Sequence, residues 1–90
     1  SDAVTLQPDG SYLVDGSASI RDINKEMSWR LPTDGPKTLN GLIVEYLEDI
    51  PENNISLRIS GYPVEIIDVA DNKIKTVRVM PEHFVSVTTE

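Results

Sequence analysis

An α+β fold, with two helices packed on one face of an antiparallel sheet, is what this 90-residue sequence predicts. Three observations carry the expectation. A short run of β-forming residues near the start is fenced by two Asp-Gly turns. Two stretches between residues 19 and 50 then repeat their apolar residues at helical spacing, separated by a loop rich in Pro and Gly. After Pro51 the apolar period drops from 3.6 to 2, and brief turn signals divide the rest into three strand-like runs. Strand, helix, helix, three strands is an order that gathers the helices together, as α+β domains do.

Residues 1–8 read as a lead-in, 9–81 as a single domain and 82–90 as a C-terminal tail. Pro8-Asp9-Gly10 turns the chain into the short strand Ser11-Tyr12-Leu13-Val14, and Asp15-Gly16 turns it out again. Ser19 precedes Asp22 by three residues, the spacing of a capping box with Asp in the acidic place, and Ile20, Ile23 and Met27 follow at helical spacing. A helix is expected from about Ser19 to Ser28, with Trp29 and Leu31 covering the core as the chain leaves it. Pro32 to Pro36 can continue no regular element. Thr38 is a good N-cap for a second helix, in which Leu39, Leu42, Ile43, Tyr46, Leu47 and Ile50 form one apolar stripe that Pro51 ends. Gly41 inside it costs roughly 1 kcal/mol against Ala and suits close backbone packing.

The last three runs, Ser56 to Ser60, Tyr62 to Val69 and Lys73 to Met80, are joined by short turns and read as an antiparallel meander. Pro63 fits badly in a central strand, so the start of its strand belongs at an edge or in a bulge. The apolar phase slips at Ile66-Ile67, which points to a bulge or to burial on both faces. The tail from His83 to Glu90 carries no turn signal and no evident partner.

Composition narrows the function. Hydrophobic content of 39% with 26% charged residues is ordinary for a globular domain. With no cysteine, disulfides, thiolate metal sites and cysteine nucleophiles are excluded. The net charge of −7 repels nucleic-acid phosphates and anionic membrane surfaces alike. No apolar run is long enough to span a bilayer. No Gly-rich phosphate loop, Walker motif or zinc-protease motif is present. The chain opens on Ser1 rather than Met, which leads to the expectation of a domain cut from a larger protein.

Three stretches in order resemble the transporter-associated domain of the CorC/HlyC type. Asp9-Gly10-Ser11-Tyr12-Leu13-Val14-Asp15-Gly16 is similar to that family's opening strand between two Asp-Gly turns. Thr38-Leu39-Asn40-Gly41-Leu42-Ile43 through Ile50-Pro51 resembles its T-x-x-G helix, and Asp71-Asn72-Lys73-Ile74-Lys75-Thr76-Val77-Arg78-Val79 its closing strand. The resemblance covers Asp9 to Met80. It implies a non-catalytic accessory domain on the cytoplasmic side of the inner membrane, following a transmembrane domain and a pair of CBS domains. Parents of that kind are linked to magnesium and cobalt efflux, and some to hemolysins. It also implies a fold like part of the PCMH-type FAD-binding domains, so FAD enters by fold analogy only. Neither a cofactor nor a catalytic residue is carried over by it. The expected partners are the CBS pair, the transmembrane domain, or a second copy of the chain.

Three constellations are candidates for binding. Glu45, Glu48, Asp49 and Glu52 fall at i, i+3, i+4 and i+7, opposite the apolar stripe of the second helix. As hard oxygen ligands they could dock Mg²⁺ or Ca²⁺ weakly; the plainer reading is a solvated helix face. Glu48, Asp49 and Glu52 lie at the negative end of the helix dipole, an arrangement that a cation or a basic partner relieves. Asp9, Asp15 and Asp68 form a second oxygen-rich set if their turns converge, and otherwise serve as turn residues and an exposed strand carboxylate. Half of the eight cations, Arg58, Lys73, Lys75 and Arg78, lie on the C-terminal strands. They suit an acidic partner or a phosphate, or else protect sheet edges. In an ideal strand Lys73 and Lys75 share a side and Arg78 takes the other. His83, the single histidine, has no nucleophile motif beside it. Trp29 and Tyr62 read as core or interface aromatics.

Overall fold

The structure, a computed structural model, describes residues 2–86. The elements run β1 (Val4–Leu6), β2 (Tyr12–Asp15), α1 (Ile20–Met27), α2 (Leu39–Leu47), β3 (Ser56–Ile59), β4 (Tyr62–Ala70) and β5 (Lys73–Val79), then one 3-10 turn at Pro81–His83. The strands form a single sheet in the order β1-β2-β5-β4-β3, each neighbouring pair antiparallel. β5, the last strand in sequence, is therefore the central one.

Both helices begin where their caps place them. The Ser19 hydroxyl accepts the Asp22 N–H at 3.3 Å, and α1 closes on Ser28 in the left-handed region (φ 58°). Thr38 accepts the Gly41 N–H at 3.1 Å. Ile20 and Ile23 of α1, with Leu39, Leu42 and Ile43 of α2, are buried against Val14, Val64, Ile66, Val77 and Val79 of the sheet in one core. Across the middle strands Val14, Val77 and Ile66 stand in a single row. Full burial of each such side chain contributes roughly 1.5–3 kcal/mol. Because successive strand residues alternate faces, Leu13, Arg78 and Glu65 form a row on the opposite, uncovered face.

Trp29 and Leu31 are buried, as their place after α1 requires. The indole lies edge-on to Tyr12 (centroids 5.6 Å apart) and tilted against Tyr62 (5.8 Å). Asn24 ties down the exit from α1 by accepting the Leu31 N–H and donating to the Leu31 carbonyl. The Tyr62 hydroxyl accepts the Arg30 N–H at 2.9 Å. The irregular loop is thus held by side chains in place of ladder bonds.

Several expectations are corrected. Within the lead-in, Val4–Leu6 is a sheet strand: it pairs with β2 across the Pro8-Asp9-Gly10 turn. Three residues are too few to show a period, and only the presence of β2 recruits them. The second helix stops at Leu47, and Glu48 adopts φ 59° while its N–H bonds Val44 O. Pro51 has no N–H for the Leu47 carbonyl and disfavours helical geometry at Ile50, while acidic residues weaken the last turn. Ile50 consequently leaves the apolar stripe, 40% exposed, and Tyr46 in the last helical turn is 46% exposed. Pro63 stands one residue before the ladder to β5 opens at Val64–Val79, so its missing N–H falls where that pairing has not begun. The phase slip is a bulge, with register shifts from Ile66 to Val69.

The tail does find a partner as far as Ser86. Phe84 packs on Tyr62 (centroids 4.5 Å apart), the Val85 N–H bonds Gly61 O at 2.9 Å, and the Arg58 guanidinium donates to the Gly61 and His83 carbonyls. Gly61 allows this approach: it has φ +92°, and a Cβ there would stand 1.9 Å from the Val85 carbonyl oxygen. Residues 87–90 of that tail lie outside the described residues.

Candidate functional site

Three segments far apart in sequence meet at one end of the sheet. The Gly16 N–H bonds Lys75 O at 2.9 Å, the Asn40 N–H bonds Gly16 O at 2.7 Å, and Asn40 Oδ1 accepts the Ile74 N–H at 2.8 Å. This clasp joins the turn after β2, the first turn of α2 and the start of β5. It bounds a cavity of about 230 Å³ lined by Ser17, Thr38, Asn40, Lys73, Ile74 and Lys75. No carboxylate lines it. The N–H groups of α2's first turn are already used, by Ala18 O, Gly16 O, Thr38 Oγ and Thr38 O. What the cavity presents is therefore side-chain donors: two hydroxyls, the Asn40 amide and two ammonium groups.

The four cations of the C-terminal strands are divided by the fold. Lys73 and Lys75 are exposed at this cavity. Arg78 lies on the uncovered sheet face, 3.2 Å from Glu65, with its Nε buried and without a hydrogen-bond partner. Arg58 holds the tail through the two carbonyls already described. No single basic face results.

The acidic sets are also separated. With α2 ending at Leu47, Glu45 remains helical while Glu48, Asp49 and Glu52 lie beyond it, so the i, i+3, i+4, i+7 spacing does not place them on a common face. Asp15 and Asp68 flank Thr76 in one row across β2, β5 and β4. Asp9 is engaged elsewhere, accepting both the N–H and the hydroxyl of the fully buried Ser11. Among the described residues, no group of three or more His, Cys, Asp or Glu side chains is placed to hold a metal ion. His83 is exposed in the 3-10 turn, 3.9 Å from Glu82.

Residues 6–83 match the family model of the transporter associated domain CorC/HlyC. The chain belongs to that family.

An Escherichia coli K12 relative, the UPF0053 inner membrane protein YfjD, is 48% identical over 81 residues, which are 90% of this chain and 19% of that protein. Hemolysin C of Brachyspira hyodysenteriae is 32% identical over 72 residues, 79% of this chain and 27% of its own length. The transporter-associated domain thus spans about a fifth to a quarter of these two relatives. A solved structure of a functionally unknown conserved protein from Haemophilus influenzae Rd KW20 superposes with a TM-score of 0.81 at 45% identity, covering 84% of this chain and 94% of that one. None of the described helices is long and apolar enough to cross a membrane.

In this transporter-associated domain the opening Asp-Gly turn carries a titration. The Ser11 hydroxyl, and next the Ser11 N–H, stabilise the Asp9 carboxylate and hold its pKa below the ordinary value of 3.8. A carboxylate depressed in the folded state adds stability above its unfolded pKa, and that contribution is lost as pH falls through the folded one. The neutral variant Asp9→Asn is therefore expected to be less stable than the parent chain at neutral pH, with the two converging below pH 3.8. Urea unfolding across an acid series measures this, and a gap that stays constant with pH would show that the charge is not what matters.

Gly16, Ser17 and Asn40 are site residues that the sequence alone does not single out. Gly16 gave a signal as a turn residue. Asn40, a polar residue between Leu39 and Gly41 in the first helical turn, has its partner 34 residues away at Ile74, and only the fold reveals it.

Proposed function

We propose that this chain is a non-catalytic regulatory module of a membrane ion transporter of the magnesium or cobalt efflux type. In this reading it lies on the cytoplasmic side and acts through contact with neighbouring domains of its parent, a CBS pair among them. The observation that carries the proposal is the uncovered sheet face. The helices bury one side of the sheet only, leaving half-buried Leu13, Pro63, Glu65 and Arg78 on the other. A two-layer domain that is about a fifth of its E. coli relative has a face free to meet the rest of the chain. Family membership supports the transport context, and the inner-membrane relative supports the location beside a membrane.

Arg78 is the anchor of such a contact. It is centred on that face, and its Nε has a hydrogen bond still to give. Arginine truncation at the middle of an interface typically weakens binding by tenfold or more, about 2 kcal/mol. Binding of this chain to its parent protein lacking the domain, measured by calorimetry, is expected to fall by at least that factor for Arg78→Ala. Leu13→Glu tests the apolar part, and circular dichroism on both variants checks that the fold is kept. Unchanged affinity in both folded variants would sink the proposal. In cells, the same variants of the full-length parent are expected to alter cation efflux with its expression unchanged.

A further inference from the structure

The cavity at the Gly16–Asn40–Ile74 clasp lies beside the first turn of α2, with none of Leu13, Pro63, Glu65 or Arg78 in its lining, and asks for a different kind of partner. Its lining combines two exposed ammonium groups, two hydroxyls and a side-chain amide with no carboxylate, in a chain with nearly twice as many acidic as basic residues. Asn40 Oδ1 is occupied by the Ile74 N–H, which leaves the amide Nδ2 to donate. Thr38 Oγ accepts from the Gly41 N–H, which leaves its own O–H to donate. Neither Lys73 nor Lys75 forms an ion pair among the described residues. Every polar side chain that lines the cavity can donate and none carries negative charge, so the complementary ligand is a negatively charged acceptor.

We propose that this cavity binds a small phosphate-bearing anion, held by Lys73 and Lys75 and oriented by Ser17, Thr38 and Asn40. Size sets the limit. The cavity, about 230 Å³, is below the roughly 300–1,000 Å³ of sites that enclose a drug-sized ligand. It accommodates one or two phosphate groups, with the remainder of any larger molecule outside. The rigidity of the clasp is part of the design, because Gly16, Asn40 and Ile74 are locked by backbone bonds and the donors they carry or flank are positioned before the anion arrives. The lysines differ from Arg58, whose guanidinium holds two carbonyls, and from Arg78, whose Nη1 is paired with Glu65.

The test uses the 90-residue chain with pyrophosphate as the probe, followed by amide chemical shifts. Saturable shifts are expected at residues 16–17, 38–40 and 73–75, weakening as salt is raised. The double variant Lys73→Gln/Lys75→Gln is expected to bind at least tenfold more weakly, since each lysine supplies a charge-assisted bond to the anion. Both lysines are exposed, so the fold survives, and an unchanged melting curve verifies this. Two further arms identify the source: ADP in solution, and vesicles containing phosphatidate against vesicles of neutral lipid. Binding in either arm that the double variant loses supports the site and names where its phosphate comes from. Absence of saturable shifts at millimolar pyrophosphate overturns the proposal. So do shifts spread over all cationic residues and unaffected by the double variant. The open-face variant Arg78→Ala is expected to leave pyrophosphate binding unchanged, so failure of the docking proposal and failure of this one are told apart.

Discussion

Trp29→Ala is expected to lower the stability of the domain by about 3–5 kcal/mol, the range for removing a large aromatic from a core. Single domains are stable by only 5–15 kcal/mol, so the variant would be close to unfolding at 37 °C. Trp29 is 9% exposed, and its ring bridges Tyr12 to Tyr62, which in turn supports Phe84 of the tail. Each aromatic pair adds roughly 0.5–1.5 kcal/mol beyond area burial. The Tyr62 hydroxyl also holds the Arg30 N–H, so an empty indole site loosens a hydrogen bond next to it. Urea unfolding followed by far-ultraviolet circular dichroism measures the loss without needing the tryptophan as reporter. Trp29→Phe keeps part of the ring packing and is expected to recover about half of it. A loss below about 1 kcal/mol for Trp29→Ala, typical of a surface position, would mean that the aromatic row is not part of the core.

Gly16→Ala is the second large effect. A Cβ on Gly16 would lie 1.9 Å from the Ile74 carbonyl oxygen and 2.8 Å from its carbon, both backbone atoms of the central strand. A side chain could swing aside, but β5 cannot, because β2 and β4 pair with it on both sides. The substitution must push the turn away from the strand and stretch the Gly16–Lys75 and Asn40–Gly16 bonds. Overpacking of this kind costs about 1–3 kcal/mol, and loss of a buried backbone bond adds about 1–3 more. A fall of about 2–6 kcal/mol is the expected result. The same variant is expected to bind pyrophosphate more weakly, since the clasp that orders the cavity is displaced. Native stability in Gly16→Ala would show that turn and strand tolerate separation.

Local rules reached the fold well where one residue decides. Ser19 and Thr38 start the helices because a hydroxyl can accept the early N–H groups whatever surrounds it. The bulge after Ile66 was visible because alternation fails there in the sequence itself. The end of α2 was misjudged for a different reason. The apolar spacing of Tyr46 and Ile50 argues for continuation, whereas the missing N–H of Pro51 and the acidic last turn argue against it, and the chain follows the second pair. With no helix beyond Leu47, Glu45, Glu48, Asp49 and Glu52 do not share a helical face. The basic set was half legible. The place of all four cations on the C-terminal strands is in the sequence, but alternation in β5 breaks between the buried Ile74 and Val77, where the register shifts, so it does not by itself part Lys73 and Lys75 from Arg78. The engagement of Arg78 with Glu65 and of Arg58 with the tail depends on contacts across strands.

By itself, then, the sequence determined the class of the fold, the positions of both helix caps, the family and the absence of cysteine chemistry. Each of these rests on interactions within a few residues of one another or on composition. Only the tertiary structure decided that Val4–Leu6 is a strand, that Phe84 and Val85 close over Tyr62 and Gly61, and that Gly16, Asn40 and Ile74 meet. The first is a hairpin pairing too short to show a period, and the others join segments tens of residues apart, the last of them where β5 inserts between β2 and β4. The donor-lined cavity belongs to this second group, since it comes into being only where that insertion brings its three walls together.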